Sequence, residues 1–149
     1  MTFQIESYYD VIDELKPMLA EHYKEVAMYQ DKIKLAPDYE AYEQLQDAGM
    51  LYILTWRDED KLKGYNIFFM RHHPHYENTN YAANDVVYID PESRHTLGTV
   101  EFFQWCEAYL NDAGADVITY HMKVMKSFHA LMTGLDMDHA EHIYTKYIG

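Results

Sequence analysis

Apolar residues at Val100, Phe103, Cys106, Leu110 and Ala113 recur at helical spacing, while Glu101, Gln104, Glu107 and Asp112 take the other faces. The pattern predicts an amphipathic helix from Val100 onward, closed by Gly114 at the position after its cap. Just upstream, Val86-Val87-Tyr88-Ile89 is a short β-branched and aromatic run stopped by Asp90-Pro91, and it predicts a strand buried on both faces. A strand that feeds a helix through a tight loop aims the helix's free N–H groups and positive dipole end over the strand's C-terminus. Such a junction favours an anion.

The same reading orders the rest of the chain. Phe3 and Ile5 predict a short first strand, with Ser7 or Asp10 placed to cap the helix that follows. Val11, Ile12, Leu15, Met18, Leu19, Tyr23 and Val26 keep a helical rhythm that Pro17 interrupts, either as a kink or as the first turn of a second helix. Tyr39, Tyr42, Leu45 and Ala48 predict another helix ending at Gly49. Met50 to Arg57 and Gly64 to Met70 read as two strands joined by the turn Asp58-Glu59-Asp60-Lys61. Arg71 to Ala83 reads as a polar connection long enough to carry function.

The 149 residues are 48% hydrophobic and 15% aromatic, which suits one globular domain spanning residues 1–149. No apolar run is long enough to span a bilayer, and the first residues lack a basic and then apolar leader, so a cytoplasmic protein with no membrane partner is expected. Acidic residues outnumber basic ones 25 to 12, a net charge of −13. So acidic a surface repels nucleic acid and attracts cations. An anionic ligand would then need local basic residues, for which Arg71, Arg94, Lys123 and Lys126 are the candidates.

The single Cys106 lies on the apolar face of the central helix and reads as a buried thiol rather than a nucleophile. His72, His73 and His75 raise the question of a metal site, but Pro74 holds the segment extended and no further ligand sits at helical spacing nearby, so no metal is expected. Phe102, Phe103, Trp105 and Tyr109 read as helix-to-sheet packing. Glu25 has two readings, a solvated helix charge and a group facing a ligand cleft.

The central strand, the Pro91-Glu92-Ser93-Arg94 turn and the helix after it resemble the core of the GNAT acyltransferase superfamily, and the resemblance extends through Ala113-Gly114-Ala115-Asp116 and Gly134-Leu135-Asp136, implying a strand at Val117 to His121, a short helix before Gly134 and a closing strand at His142 to Tyr147. His73-Pro74-His75-Tyr76, Asn84-Asp85 and His121-Met122-Lys123 resemble segments of a bacterial and phage subgroup, and a phage-encoded member would work in the host cytoplasm. The resemblance implies an α+β fold, with a mixed, mostly antiparallel sheet, a splayed pair of central strands and helices on both faces. It also implies N-acetyl transfer from acetyl-CoA as cosubstrate to an amine acceptor by direct attack, and it allows a homodimer. The residues it assigns to acetyl-CoA are Val87, Tyr88, Ile89, Arg94, His95, Thr96, Leu97, Gly98, Thr99 and Lys123. The family's phosphate loop reads Arg/Gln-x-x-Gly-x-Gly/Ala, whereas Leu97 and Thr99 fill the small positions here and the one glycine is Gly98. For the amine's proton the resemblance points to Asp85, with His75 and His121 as competitors. The usual thiolate-protonating Tyr is replaced by Ala130, which leaves Tyr76 or Tyr120 for that role. A rival expectation is a non-catalytic GNAT-like protein whose acidic surface grips a basic partner protein.

Overall fold

The computed structural model describes residues 1–149. Five strands form one sheet in chain order: β1 (Thr2–Glu6), β2 (Leu51–Asp58), β3 (Lys61–His73), β4 (Tyr76–Ile89) and β5 (Val117–Thr119). The first four are antiparallel neighbours, and β5 joins β4 in parallel. Helices α1 (Tyr8–Val26) and α2 (Tyr39–Asp47) cover one face, while α3 (Leu97–Asp112) and α4 (His129–Gly134) cover the other. Because both faces are covered, β2 and β3 lose the usual polar alternation and read as almost continuous apolar runs.

Two cores result. On one face Tyr8, Val11 and Leu15 of α1 pack on Leu51, Ile53, Tyr65 and Ile67. On the other, Phe102, Phe103, Cys106 and Leu110 of α3 pack on Leu54, Trp56, Phe68 and Ala82, with Met132 of α4. The aromatic residues of α3 are therefore packing residues, and Cys106 is buried with its thiol pushed up by that burial.

Local chemistry explains the boundaries. Glu59 and Asp60 adopt φ of +47° and +64°, which makes the tight β2–β3 turn. The Asp38 carboxylate caps α2 by accepting from the Ala41 N–H at 3.0 Å. Gly49 ends that helix region at φ +69°. Helix α1 runs unbroken for 19 residues across Pro17, since Val11 and Leu15 pin its first turns to the sheet.

Four expectations are corrected. The polar stretch Arg71 to Ala83 is not a connection: β3 and β4 extend through it and turn at Pro74-His75. Cross-strand backbone bonding there outweighs the polar composition. The run Val86 to Ile89 is not buried on both faces, because only Ile89 is buried and the other three are half-exposed. The strand after α3 stops at Thr119. His142 to Tyr147 form no strand, and Ile143, Tyr144 and Ile148 are exposed. An alternating apolar pattern needs a pairing edge as well as propensity. No helix is long and apolar enough to cross a membrane.

Candidate active site

The site begins with a missing hydrogen-bond partner. Strand β5 pairs with β4 only at Tyr81, Ala82 and Ala83, so from Asn84 to Ile89 that edge of β4 is open. Across the sheet, Phe68 pairs with Asn84 and Ile67 with Val86, which leaves Asp85 unpaired in a bulge. A bulge adds a residue on one strand and bends it. Here it sits at the point where β4 and β5 diverge, and it opens a wedge-shaped gap. Alternate backbone N–H and C=O groups of Asp85 to Ile89 face that gap.

The bulge aims Asp85 toward α2, where the Tyr42 hydroxyl donates to its Oδ2 at 2.5 Å. Burial of the carboxylate end raises the Asp85 pKa above the ordinary aspartate range, and the Tyr42 hydrogen bond pulls it partly back. The residue as a whole is open to solvent along the gap, which screens this effect. Tyr42 itself is held neutral, by burial first and by the neighbouring Asp85 charge second. Tyr65 lies fully buried beside this pair, with its ring stacked on Tyr88 at 5.6 Å and its hydroxyl without a partner.

On the other face of the sheet from Tyr42, three side chains form a polar chain. Asn84 Nδ2 donates to Asn66 Oδ1 at 2.8 Å and to the Ile67 carbonyl at 3.2 Å. Asn66 Nδ2 donates onward to the Tyr120 hydroxyl at 3.0 Å. Asn66 is fully buried, so these bonds hold the two diverging strands at a fixed separation. Burial raises the Tyr120 pKa well above its ordinary value, which keeps the phenol protonated and able to donate.

The far end of the gap is the β4–α3 loop. Helix α3 begins at Leu97 rather than Val100, because Thr96 and Thr99 turn their hydroxyls onto the Ser93 carbonyl at 2.7 and 2.9 Å and fold the loop into the first turn. Thr99 is thereby buried, and Leu97 stands 81% exposed. Neither the Leu97 nor the Gly98 N–H has a backbone acceptor. Gly98 lies against the Trp56 indole so closely that a Cβ would meet its ring at 2.8 Å. This glycine serves the contact between helix and sheet.

Arg94 is fully engaged. Its Nε donates to the Ile89 carbonyl at 2.7 Å, and its two terminal nitrogens donate to the Glu25 carboxylate at 2.6 and 2.9 Å. The guanidinium also lies over the Tyr88 ring at 5.5 Å. The Arg94 hydrogen bonds hold the Glu25 pKa below the usual range, and those to Glu25 raise that of Arg94. His22, one turn before Glu25, sits beside Tyr88 with its pKa lowered by burial. Glu25 is thus neither a solvated helix charge nor a free group in the cleft.

The structure brings Asp85, Val87, Tyr88, Ile89, Arg94 and the loop to Thr99 along one gap, with Tyr120 on its other side and His121 and Lys123 exposed just beyond β5. It does not bring His75 or Tyr76 there. Their hairpin tip is nine residues of strand from Asp85, roughly 30 Å at extended spacing. His73 packs edge-on or tilted against His75, Tyr76 and Tyr81 instead, and His73 Nδ1 accepts from the His75 N–H at 3.1 Å. No group of three or more His, Cys, Asp or Glu side chains is placed to hold a metal ion. Arg71 lies toward the same tip, opposite Tyr81, so of the basic candidates Arg94 and Lys126 are the two near Glu25. Tyr42, Asn66 and His22 were missed by sequence reasoning. A lone Asn inside Ile-Phe-Phe strand sequence was the signal for Asn66, and a tyrosine on an apolar helix face, needing a partner for its hydroxyl, was the signal for Tyr42.

No family model matches the chain, and no curated protein matches it either. Solved structures do match over its whole length. A ribosomal-protein-alanine N-acetyltransferase from Brucella melitensis superposes with a TM-score of 0.75 at 15% identity, covering 99% of this chain and 97% of that one. An aminoglycoside acetyltransferase from an uncultured soil metagenomic sample, in complex with sisomicin, gives 0.71 at 12% identity, covering 99% and 94%. Glucosamine-6-phosphate N-acetyltransferase from Arabidopsis thaliana gives 0.70 at 12% identity, with both chains fully covered. The fold is the GNAT acetyltransferase fold.

Proposed function

We propose that this protein is an acetyl-CoA-dependent N-acetyltransferase acting on a cationic amine. The observation that carries the reading is the open edge of β4, with the bulged Asp85 at one end and the free first-turn N–H groups of α3 at the other. A thioester arm laid along that edge would be held by backbone groups, with its diphosphate at the Arg94 to Thr99 loop. The neighbours support this use of the fold, since one of them, AAC(6')-Iy, is bound to a bisubstrate analogue containing CoA, at a TM-score of 0.65 and 10% identity.

In the proposed reaction the acceptor amine loses a proton to Asp85, directly or through water, and its nitrogen attacks the thioester carbonyl carbon. The C–N bond forms and the C–S bond breaks, the leaving thiolate takes a proton to become CoA, and the new amide nitrogen sheds its second proton to replace the one given to the thiolate. Asp85 suits the first step because its raised pKa brings a carboxylate closer to the pH at which amines release protons. Tyr120, protonated and on the far side of the gap, is the available donor for the second. Backbone N–H groups of the open edge would meet the oxyanion. The net charge of −13 attracts a positively charged acceptor, in keeping with the aminoglycoside bound by one neighbour.

The test is titration calorimetry with acetyl-CoA at low and moderate salt, followed by a transfer assay on a panel of polyamines and aminoglycosides. Saturable binding that weakens in Arg94→Ala, with turnover lost in Asp85→Asn, is the expected result. Absence of acetyl-CoA binding in the wild-type protein overturns the reading.

A further inference from the structure

We infer that Glu25 is a specificity-determining residue, an internal carboxylate that occupies the Arg94 fork and admits only acyl donors carrying a diphosphate. The inference rests on the acetyl-CoA reading above and names what that site selects.

An arginine offers five N–H donors, and two adjacent ones along an edge make the fork that recognises carboxylate or phosphate. In Arg94 the edge between the two terminal nitrogens is taken by both Glu25 oxygens, at 2.6 and 2.9 Å. The Nε edge is committed to the Ile89 carbonyl at 2.7 Å. The two donors that remain are single and diverge, so no fork faces the gap while Glu25 is in place. The pair is half-buried, with the Arg94 and Glu25 side chains 31% and 25% exposed, so it is neither a loose surface contact nor a sealed one.

The location gives the pair its consequence. Arg94 sits between the end of β4 and the first turn of α3, where the Leu97 and Gly98 N–H groups lack acceptors. A ligand with one phosphate must choose between those amides and a contest with Glu25 for Arg94. A diphosphate can hold the amides with one phosphate and displace Glu25 with the other. Displacement leaves the carboxylate near Lys126, which already feels its charge, so the released Glu25 is not stranded. His22 adds no competing cation, being neutral when buried beside Tyr88.

The experiment compares acetyl-CoA with S-acetyl-4′-phosphopantetheine, which keeps the thioester arm but carries a single phosphate. Binding of both is measured on wild type, Glu25→Gln and Glu25→Ala, each checked for a native circular-dichroism spectrum. Two variants are used because Gln still offers Arg94 one acceptor and Ala offers none. The expected result is that wild type binds acetyl-CoA and barely binds the monophosphate. Both variants then gain roughly ten-fold for acetyl-CoA, the size expected when a half-exposed charge-assisted fork is freed, and gain more for the monophosphate. Unchanged or weaker binding in both variants, with wild type still binding acetyl-CoA, overturns the inference and leaves the acetyltransferase reading standing. Binding by the variants alone overturns the inference, because Glu25 would then exclude diphosphate donors as well, and it overturns the acetyl-CoA reading of the wild-type protein. Binding by none of the three overturns both.

Discussion

The Tyr42 hydroxyl lies 2.5 Å from the Asp85 carboxylate, joining α2 to the residue that β4 leaves unpaired between Asn84 and Val86. The bond fixes the carboxylate at the widening of the gap, and it sets how readily that carboxylate takes a proton.

Because the Tyr42 hydrogen bond lowers an Asp85 pKa that burial raises, Tyr42→Phe moves that pKa further up. A base must be deprotonated to act, so the acidic limb of the kcat/KM profile shifts to higher pH in Tyr42→Phe. Asp85→Asn lowers kcat/KM by about 10²- to 10⁴-fold. A pH–rate profile of the two variants with a common amine acceptor checks both. An unmoved acidic limb in Tyr42→Phe rejects Asp85 as the base.

Gly98→Ala places a Cβ against the buried Trp56 ring at 2.8 Å. The first turn of α3 must move away from β2, at a cost of about 1–3 kcal/mol. Chemical denaturation measures the loss. Acetyl-CoA affinity falls with it, because the same turn carries the free N–H groups.

Arg57 ties three elements together. It donates to Glu6 of β1 at 3.0 Å through Nε and again through a terminal nitrogen, to Glu14 of α1 at 2.7 and 3.2 Å, and to the Asp60 carbonyl at 2.8 Å. Arg57→Ala leaves the partly buried Glu6 carboxylate with only its Thr55 hydrogen bond and destabilises by about 3 kcal/mol. Burial pushes the Glu6 pKa up, but the Arg57 and Thr55 hydrogen bonds outweigh it, and the pKa is lowered overall. The pair's stabilisation is therefore present above the unfolded carboxylate pKa and is lost as pH falls through the lower folded value. Thermal melts across the acid range show a steeper decline in wild type than in Arg57→Ala.

Tyr65 keeps a buried hydroxyl without a partner. Tyr65→Phe removes that unsatisfied group at little cost in shape, so its stability stays within about 1 kcal/mol of wild type or rises. Urea titration decides this. A large loss instead would mean that the hydroxyl is bonded in solution.

Amino-acid order by itself determined the layers of this protein. Alternating and helical apolar periods placed β1, α2, the β2–β3 hairpin and α3, because covering both faces of a sheet requires apolar runs that are readable locally. It also marked the junction between β4 and α3 as one that favours an anion, since a strand, a Pro turn and a helix start must follow one another along the chain, whereas Asp85 was singled out only by the family resemblance. What only the tertiary structure decided is which groups meet. Tyr42 reaches Asp85 across 43 residues, and Glu25 reaches Arg94 across 69. Pairing between neighbouring strands made β-structure out of the polar run from Arg71 to Ala83, and the lack of a pairing edge left the apolar run at His142 to Tyr147 without it. The bulge at Asp85 and the divergence of β5 after Thr119 arise from register and packing between strands, quantities that no local window of residues contains.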